Sequence, residues 1–412
     1  MEVYRVGGYV RDRLLGVPTV DCDWVVVGAS EDEMLARGFR RVGKDFPVFL
    51  HPETHEEYAL ARTERKHGTG YTGFTVDAAR SVTLEQDLAR RDLTINAMAE
   101  AADGSLIDPY HGRADLARGV LRHVTGAFVE DPLRALRVAR FAARFDFKVA
   151  PETMALMAAI TASGELATLT PERVWRELER ALGERYPQRF FTVLRECGAL
   201  RVVLPEVDAL FGVPQPAHHH PEIDCGAHLL LCLEQAALRD ANGRVRFAVL
   251  THDLGKATTP ASRLPRHIGH EERSVRLLQA LCERLRVPQA HRELATLVAR
   301  HHTNVHRALE LRPGTLVDIL DRLDAWRRPD RFEEILLACE IDARGRAGLE
   351  SAPYPQAERL RWAARHARAV DVAALVALHG AGPQIRQLLR DARVGALKSA
   401  PRDWGESVQL QT

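Results

Sequence analysis

Two aspartates stand one residue apart at the start of a run of valines, in the stretch "VDCDWVVVG" at residues 20–28. Such a run predicts a buried β-strand, in which the side chains of residues i and i+2 point to the same face. Asp21 and Asp23 would then converge, and two carboxylates held together repel unless a cation or a proton lies between them. The stretch therefore predicts a site for Mg²⁺, which prefers oxygen ligands. The alternative is a plain turn, where Asp is common.

A glycine pair lies just upstream, in "VGGYVRDRLLG" at residues 6–16. The pattern predicts the end of a strand, a turn at Gly7 and Gly8, and a helix with Arg11 in its first turn. Glycines let the backbone approach a phosphate closely, and an arginine offers a fork of donors to phosphate oxygens. A phosphate-binding turn followed by a metal-binding pair predicts a nucleoside triphosphate site. Alone, the glycine pair would indicate only a tight turn.

Bulk composition restricts the class of protein. The chain has 412 residues, six cysteines without CxxC pairing and a net charge of +1. The length suggests two to four domains, and the scattered cysteines favour reduced thiols in a cytoplasmic protein. No run approaches the roughly 18 apolar residues of a membrane span, and no secretory signal is visible. A polyanionic partner would need a local basic surface.

Periodicity changes along the chain. The first 125 residues or so mix strand and helix patterns, with strands predicted in "EVYRVGG", "DWVVVG", "PVFLH" and "HEEYALAR". After residue 130 helical periodicity dominates, as in "DPLRALRVARFAARF", "PERVWRELERAL" and "PQRFFTVLRECGAL". We therefore expect an α+β head, built from a small mixed sheet with helices, followed by all-α regions.

The second half is rich in histidine. Eleven of the 18 histidines lie between residues 205 and 330, and His252 and Asp253 stand side by side in "LTHDLGK". His228 lies 24 residues upstream of His252. Imidazole with carboxylate suits a transition metal such as Ni²⁺ or Mn²⁺. We predict a metal site at His228, His252 and Asp253, and Asp321 and Asp324 are both candidates for a fourth ligand.

These motifs resemble a known family. "VGGYVRD", "DCDW", "EEYALARTERK", "GYTGF", "RRDLTINAMA", "DPYHG", "EDPLRALRVARF" and "LTPERVWREL" are similar to the class II tRNA nucleotidyltransferases of the polymerase-β superfamily, above all to the multifunctional bacterial members that carry an HD domain. The resemblance covers most of the chain. It implies addition of C, C and A to the tRNA 3′ end from CTP and ATP, with Mg²⁺ and without a nucleic-acid template.

The resemblance also implies a domain order and a second activity. We expect the tRNA acceptor arm as partner, no membrane, and a monomer or homodimer. The HD domain would be a metal-dependent phosphohydrolase with 2′,3′-cyclic phosphodiesterase, 2′-nucleotidase and phosphatase activities. The expected domains are a nucleotidyltransferase head at 1–125, a helical neck and body at 126–205, the HD domain at 206–330 and a helical tail at 331–412.

The segment "EDPLRALRVAR", residues 130–140, is the candidate for base selection. Arg134, Arg137 and Arg140 recur every three residues, which by itself indicates a solvated helix face. A carboxylate that accepts from an amino group beside a guanidinium that donates to a ring nitrogen suits cytosine and adenine, whereas guanine and uracil reverse that pattern. The resemblance implies that Asp131 and Arg134 form this protein template. Arg137 and Arg140 would contact the nucleotide or its phosphates.

Three further segments complete the expected site. In "RRDLTINAM" we predict a helix with Asp92 and Asn96 on one face, near the ribose, and Arg91 on phosphate; the alternative is a capped, solvated helix. Glu57 is the candidate for a third catalytic carboxylate, because the family often has an acid there, or else it is a surface strand residue. Residues 62–74 are basic and glycine-rich, which predicts a mobile loop near the site.

Three other functions stay open. A poly(A) polymerase of the same superfamily shares the head motifs, but the HD half and the lack of a long basic tail argue against it. A second alternative is an HD phosphohydrolase whose head only binds nucleotide and RNA. A third is an RNA-binding adaptor, which would have no need for the repulsion between two adjacent carboxylates.

Overall fold

The computed structural model describes residues 1–19, 22–42, 48–66 and 74–401, apart from the side chains of residues 64–66 and 74–76. The chain divides into two compact units, Met1–Val203 and Leu204–Thr412. The first unit combines a mixed sheet with helices, and the described part of the second consists of helices. This confirms the predicted α+β head followed by all-α regions.

One mixed sheet organises the start of the first unit. The described strands of this unit are β1 (Glu2–Val6), β2 (Asp23–Val27), β3 (Arg40–Arg41), β4 (Val48–Leu50), β5 (Glu57–Leu60), β6 (Thr63–Lys66), β7 (Phe74–Asp77), β8 (Ala99–Glu100), β9 (Leu106–Ile107), β10 (Val120–Leu121) and β11 (Lys148–Val149). In the described residues seven of them form the sheet, in the order β3-β4-β5-β2-β1-β8-β9. β6 pairs with β7, and β10 pairs with β11, outside the main sheet. The four strands predicted from sequence correspond to β1, β2, β4 and β5.

The valine strand β2 lies inside this sheet. It pairs antiparallel with β1 and parallel with β5. Val25 packs on one face in a cluster with Leu88, and Val26 packs on the other face in a cluster with Phe49. Because both faces are covered, the strand needs no alternation of polar and apolar residues, which explains its unbroken valine run.

The helices of the first unit are interspersed with the strands up to β11, after which they follow one another. They are α1 (Gly8–Leu14), α2 (Glu31–Ala36), α3 (Leu84–Ala89), α4 (Gly112–Arg118), α5 (Leu133–Phe145), α6 (Pro151–Ala162), α7 (Pro171–Gly183), α8 (Gln188–Glu196) and α9 (Leu200–Val203). The three helices predicted after residue 130 are α5, α7 and α8. Pro171 stands at the first position of α7, where its missing N–H costs nothing.

The prediction of a helix across residues 90–98 is wrong. α3 ends at Ala89, and only a short 3₁₀ turn, Thr94–Asn96, follows. The backbone N–H of Thr94 donates to the carbonyl of Arg122, 2.9 Å away, instead of to a residue of its own segment. Tertiary pairing therefore overrides the local helical pattern.

The predicted loop at 62–74 is also partly replaced by regular structure. β6 and β7 pair antiparallel, from Thr63 with Asp77 to Lys66 with Phe74. Residues 67–73 of the predicted loop lie outside the described residues.

The second unit is a bundle of helices. They are α10 (Pro205–Asp208), α11 (Cys225–Leu238), α12 (Gly243–Thr251), α13 (His270–Leu285), α14 (Gln289–His306), α15 (Pro313–Arg322), α16 (Pro329–Arg344), α17 (Pro355–Arg368), α18 (Val372–His379) and α19 (Ile385–Ser399). α12 packs against α11, α14 and α16, so that these four helices surround a common centre. In the described part of the chain, no helix has both the length and the apolar character that crossing a membrane requires.

Candidate functional site

A cleft of about 390 Å³ in the first unit collects most residues singled out in the sequence. It is lined by Gly7, Gly8, Arg11, Asp23, Arg90, Arg91, Asp92, Asn96, Asp131, Arg134, Arg137 and Phe141. Every predicted nucleotide-binding residue except Arg140 is in this set. Arg90 and Phe141 were not predicted, because neither has a spacing that distinguishes it from ordinary helix residues.

The glycine turn brings the backbone close to an arginine. Gly7 has φ +66°, in the left-handed region, and a Cβ there would lie 2.8 Å from Nη1 of Arg91. That nitrogen also donates to the carbonyl of Asn96 over 3.3 Å. Glycine at position 7 therefore satisfies both the backbone conformation and the close approach of Arg91.

Arg11 is fixed beneath the cleft. Its Nε donates to Asp12 over 2.8 Å, and its Nη1 donates to Oδ1 of Asn96. The guanidinium lies 5.3 Å from the ring centre of Phe141 and 5.1 Å from that of Phe145. A cationic group held on all sides in this way keeps its position in the absence of ligand.

Asp92 is the buried centre of the polar network. Its Oδ2 accepts from Nε of Arg137 over 2.7 Å, and its Oδ1 accepts from Nδ2 of Asn96 over 3.0 Å. Burial raises the pKa of Asp92, but Arg137 and Asn96 outweigh it and hold that pKa well below its usual range. Asp92 and Asn96 do come together, but through the hydrogen bond between them and not on one face of the predicted helix, where the structure has only the 3₁₀ turn Thr94–Asn96.

Asp131 and Arg134 lie together where α5 begins. Oδ1 of Asp131 accepts from the backbone N–H of Leu133 over 3.1 Å. Nη1 of Arg134 donates to the carbonyl of Ala127 over 3.1 Å, and Nη2 donates to the carbonyl of Arg90. Two of the five N–H donors of Arg134 are thus used to hold the guanidinium in the cleft wall.

The structure does not bring Arg140 to this cleft. The side chain is buried, and its Nε donates to Oε2 of Glu177 on α7 over 2.7 Å. A three-residue spacing advances 300° around a helix, so successive arginines drift off one face. Arg140 therefore joins α5 to α7, whereas Arg134 and Arg137 face the cleft.

The predicted catalytic carboxylates lie at adjacent strand ends. Asp23 is the first residue of β2, is exposed and lines the cleft. Glu57 is the first residue of β5 and is exposed. Trp24 of β2 pairs with Tyr58 of β5, and the two strands are parallel. Asp23 and Glu57, each one residue earlier, therefore lie at the same end of two neighbouring strands. Asp21 lies outside the described residues.

A second cluster lies among the helices of the second unit. His228 in α11, His252 after α12 and the adjoining Asp253 bring one ligand atom each within 4.8 Å of one another. Asp342 in α16 joins them, with its Oδ1 3.0 Å from Nε2 of His228 and 3.6 Å from Nε2 of His252. All four side chains are buried.

Hydrogen bonds orient both imidazoles in this cluster. Nδ1 of His228 lies 3.1 Å from the carbonyl of Gly345, and Nδ1 of His252 lies 2.7 Å from the carbonyl of Val249. A carbonyl only accepts, so these Nδ1 atoms carry hydrogen, and Nε2 is the nitrogen that each ring offers to a cation once its proton has left. Such backbone partners are typical of metal-binding histidines.

The cluster fits a divalent cation. Nε2 of His252 is buried and has no hydrogen-bond partner among the described residues. Burial lowers the pKa of His252, but Asp253 and Asp342 outweigh it and raise that pKa well above its ordinary value. Without an ion, protons must therefore balance the buried carboxylates, and a metal would replace them.

Neither predicted fourth ligand belongs to this cluster. Oδ1 of Asp321 accepts from Nε1 of Trp326, and Oδ1 of Asp324 accepts from Nε of Arg327. The fourth member of the cluster, and its second carboxylate, is Asp342. Its place within the apolar helix sequence "ILLACEIDA" is the one sequence feature that could have indicated it, since a buried acid in such a run needs a partner.

Three protein-family models match parts of the chain. Residues 3–122 match the "Poly A polymerase head domain" and residues 226–326 match the "HD domain". Residues 146–211 match a model described as "Probable RNA and SrmB- binding site of polymerase A".

Known proteins resemble the chain over nearly its whole length. The "Multifunctional CCA protein" of Nitrosococcus oceani is 63% identical over 400 residues, covering 97% of this chain and 98% of the relative. That of Thioalkalivibrio sulfidiphilus is 60% identical, covering 98% and 100%. The CTP complex of the Bacillus stearothermophilus CCA-adding enzyme is 25% identical with a TM-score of 0.63, covering 96% of this chain and 88% of that one. The Thermotoga maritima CCA-adding enzyme complexed with tRNA has a TM-score of 0.61 at 20% identity, covering 100% and 91%, and shares the fold.

Proposed function

The chain belongs to the family of multifunctional CCA proteins, and from this we propose that it adds C, C and A to the 3′ end of tRNA. The substrates are CTP and ATP, and no nucleic-acid template takes part. The observation that carries the proposal is the meeting of Asp23, Asp92, Asp131 and Arg134 in one cleft. The cleft then holds an aspartate that can bind a metal and a buried aspartate that holds its neighbours in place. It also holds a carboxylate and a guanidinium that can form hydrogen bonds with the edge of a base.

Each wall of the cleft has a distinct task in nucleotidyl transfer. Asp23, with Asp21 and with Glu57 as third carboxylate, would hold Mg²⁺, which supplies charge stabilisation for the attacking and leaving oxygens. Arg11, next to Gly8, and Arg91, next to Gly7, bind the triphosphate. Asp92 and Asn96 face the ribose. The network around Asp92 keeps these groups in place before the nucleotide arrives, so that little reorganisation is needed.

Base selection follows from donor and acceptor positions. The Asp131 carboxylate accepts from N4 of cytosine or N6 of adenine. A free N–H of Arg134 donates to N3 or N1, and Arg137 supports the nucleotide from the next turn of α5. Uracil and guanine present a carbonyl to the carboxylate and an N–H to the guanidinium. Both of their contacts become repulsive, which rejects these bases.

We propose that the helices after residue 130 bind the acceptor arm of tRNA by phosphate and shape contacts. The head would comprise residues 1–125 and the body residues 126–205. We further propose that the protein acts in the cytoplasm as a monomer or homodimer. Light scattering of the full chain, with and without tRNA, measures the number of copies.

One incorporation assay tests the nucleotidyltransferase proposal. The protein is incubated with tRNA lacking its CCA end and with each nucleoside triphosphate separately, then with CTP and ATP together. We expect two C residues followed by one A, and no incorporation by Asp23→Asn. Long tails made from ATP alone would show a poly(A) polymerase instead. If Asp23→Asn still added nucleotides but lost tRNA phosphatase activity, the proposed role of the cleft would be contradicted.

For the second unit we propose a metal-dependent phosphohydrolase. His228, His252, Asp253 and Asp342 would hold a transition metal such as Mn²⁺ or Ni²⁺, which activates water for attack on phosphorus. A cavity of about 580 Å³ opens beside them and is lined by Lys256 among others. The substrates we propose are 2′,3′-cyclic phosphates, 2′-nucleotides and phosphomonoesters at RNA ends.

The phosphohydrolase is tested on the full chain. Hydrolysis of 2′,3′-cyclic AMP is followed after chelation and after return of Mn²⁺ or Ni²⁺. We expect activity only with metal, and none in His252→Gln, whereas that variant still adds CCA. Unchanged hydrolysis by His252→Gln would refute this site.

A further inference from the structure

A lysine and an arginine line the cavity of about 580 Å³ in the second unit, and they differ in their partners. Nζ of Lys256 lies 2.6 Å from Oδ2 of Asp253 and 2.7 Å from Oε1 of Gln215. Arg346 forms no ion pair with a carboxylate in the described part of the chain. Because a guanidinium does not lose its proton in proteins, Arg346 presents a positive charge to the cavity that no neighbouring carboxylate balances.

Backbone carbonyls hold the Arg346 side chain in the cavity wall. Its Nε donates to the carbonyl of Ala343 over 2.8 Å, and its Nη1 donates to the carbonyl of His219 over 3.4 Å. Its Nη2 has no hydrogen-bond partner among the residues that the structure describes. The side chain is half-buried and lines the cavity. A guanidinium that is fixed in this way and still has free N–H groups can donate to the oxygens of a phosphate.

The loop that supplies the His219 carbonyl has a strained conformation. Ile223 has φ +62°, in the left-handed region, although its side chain is β-branched and 50% exposed. Such a conformation is rare for a β-branched residue, and strain of this kind occurs at sites that bind ligands. Oε2 of Glu222 accepts from the backbone N–H of Ala347 over 3.3 Å. The strained loop is therefore joined to the segment that carries Arg346.

Arg346 also lies at a definite step from the proposed metal site. Asp342, a member of that site, precedes Arg346 by four residues at the end of α16, and both residues line the cavity. One turn of an α-helix rises about 5.4 Å. This interval is comparable with the distance between neighbouring phosphates of an RNA strand. A terminal phosphate at the metal site would thus have the preceding phosphate of its strand near Arg346.

We propose that Arg346 binds the phosphodiester that joins the terminal nucleotide of an RNA 3′ end to its neighbour, so that the cavity selects RNA ends over free nucleotides. The inference rests on the phosphohydrolase proposed for this unit, which holds the terminal phosphate at the metal site. A mononucleotide has no second phosphate for Arg346 to bind. Because phosphate contacts carry no sequence information, the base of the terminal nucleotide is not read by this residue.

A comparison of three substrates on the full chain tests the inference. They are a short RNA that ends in a 2′,3′-cyclic phosphate, the same RNA with an uncharged methylphosphonate as its last internucleotide linkage, and 2′,3′-cyclic AMP. In Arg346→Ala we expect kcat/KM for the first substrate to fall about 10- to 100-fold, since hydrogen bonds to a charged group are lost. The values for the other two substrates should not change. Arg346→Lys keeps the charge but not the fork of donors, so it should restore part of the loss.

Arg344 provides a matched control one turn away. It pairs with Glu340 over 3.0 Å and does not line the cavity. Arg344→Ala should keep the wild-type ratio of kcat/KM between the RNA and 2′,3′-cyclic AMP, and the same change of ratio in both variants would overturn a specific role for Arg346.

The remaining outcomes separate this inference from the proposal on which it rests. Equal losses on all three substrates in Arg346→Ala would overturn the inference and leave the phosphohydrolase in place. Equal kcat/KM of wild type for the natural and the methylphosphonate linkage would do the same. If wild type hydrolysed none of the substrates, the phosphohydrolase and the inference would both be overturned.

Discussion

Arg173 of α7 fixes the direction of the Asp131 carboxylate at the edge of the nucleotide cleft. Its Nη2 lies 3.0 Å from Oδ2 and 3.2 Å from Oδ1 of Asp131. Because Asp131 is a partner proposed for the amino group of the base, its orientation depends on a helix that does not itself line the cleft. The orientation that we propose for base selection therefore depends on two helices, α5 and α7, packed together.

Removing this arginine should weaken base selection. In Arg173→Ala the carboxylate keeps, among the residues that the structure describes, only the hydrogen bond from the backbone N–H of Leu133, and it can rotate. A hydrogen bond to a charged group contributes about 1.5 kcal/mol or more, and about 1.4 kcal/mol is a factor of ten. We expect misincorporation of UTP relative to CTP to rise about tenfold, measured as the ratio of kcat/KM values.

Arg176→Ala is the control, since Arg176 is an exposed arginine of the same helix. It should leave the ratio unchanged. Equal loss of CTP and UTP incorporation in Arg173→Ala would instead mean that the residue supports the fold and not the selection.

Asp92 should contribute stability that depends on pH. Asp92→Asn leaves Arg137 without its buried partner, and such a loss costs about 3 kcal/mol. The folded-state pKa of Asp92 is depressed, so its contribution is complete above the unfolded pKa of about 3.9 and declines below it. We expect the difference in urea midpoint from wild type to be constant between pH 7 and 5 and to narrow by pH 3.5.

The exposed aspartate Asp103 supplies the comparison. Asp103→Asn should change the urea midpoint little at pH 7. A difference for Asp92→Asn that grew toward acid pH would have the wrong sign and would contradict a depressed pKa.

Gly7 should matter for a reason beyond its backbone angle. Gly7→Ala places a Cβ 2.8 Å from Nη1 of Arg91. Gly16 has a similar φ of +68°, but the Cβ that Gly16→Ala adds has no described heavy atom within 4 Å. Both changes place a Cβ on a residue with positive φ, which carries strain of about 1 to 3 kcal/mol. Only Gly7→Ala displaces Arg91, so we expect a several-fold rise in KM for CTP in that variant alone. If the two changes altered the KM for CTP equally, glycine at position 7 would be required only for its backbone conformation.

Metal should stabilise the second unit. A ligand present at about 1,000 times its Kd adds about 4 kcal/mol to the folded state. We expect Mn²⁺ to raise the Tm of the transition assigned to this unit, and a chelator to reverse the rise, both followed by calorimetry. His252→Gln removes one buried ligand and should abolish most of the effect. The same rise in wild type and variant would place the stabilising ion elsewhere.

The sequence by itself determined the local elements and the chemistry they carry. The valine run predicts β2 because a strand covered on both faces needs apolar residues throughout, and periodicity predicts α5, α7 and α8. The motifs identify most of the residues that meet in the cleft of the first unit, and three of the four members of the buried histidine and aspartate cluster in the second unit. Each of these depends on neighbours in sequence or on spacings that persist along one element.

Tertiary structure decided the partners of the charged groups. Asp342 takes the place predicted for Asp321 or Asp324 because α16 packs against α11 and α12, which are distant from it in sequence, and this packing sets which carboxylate meets the histidines. Arg140 pairs with Glu177 for the same reason, and the backbone pairing of Thr94 with Arg122 prevents the predicted helix. Buried charges are satisfied by whatever folding brings next to them, and no spacing along the chain records that choice.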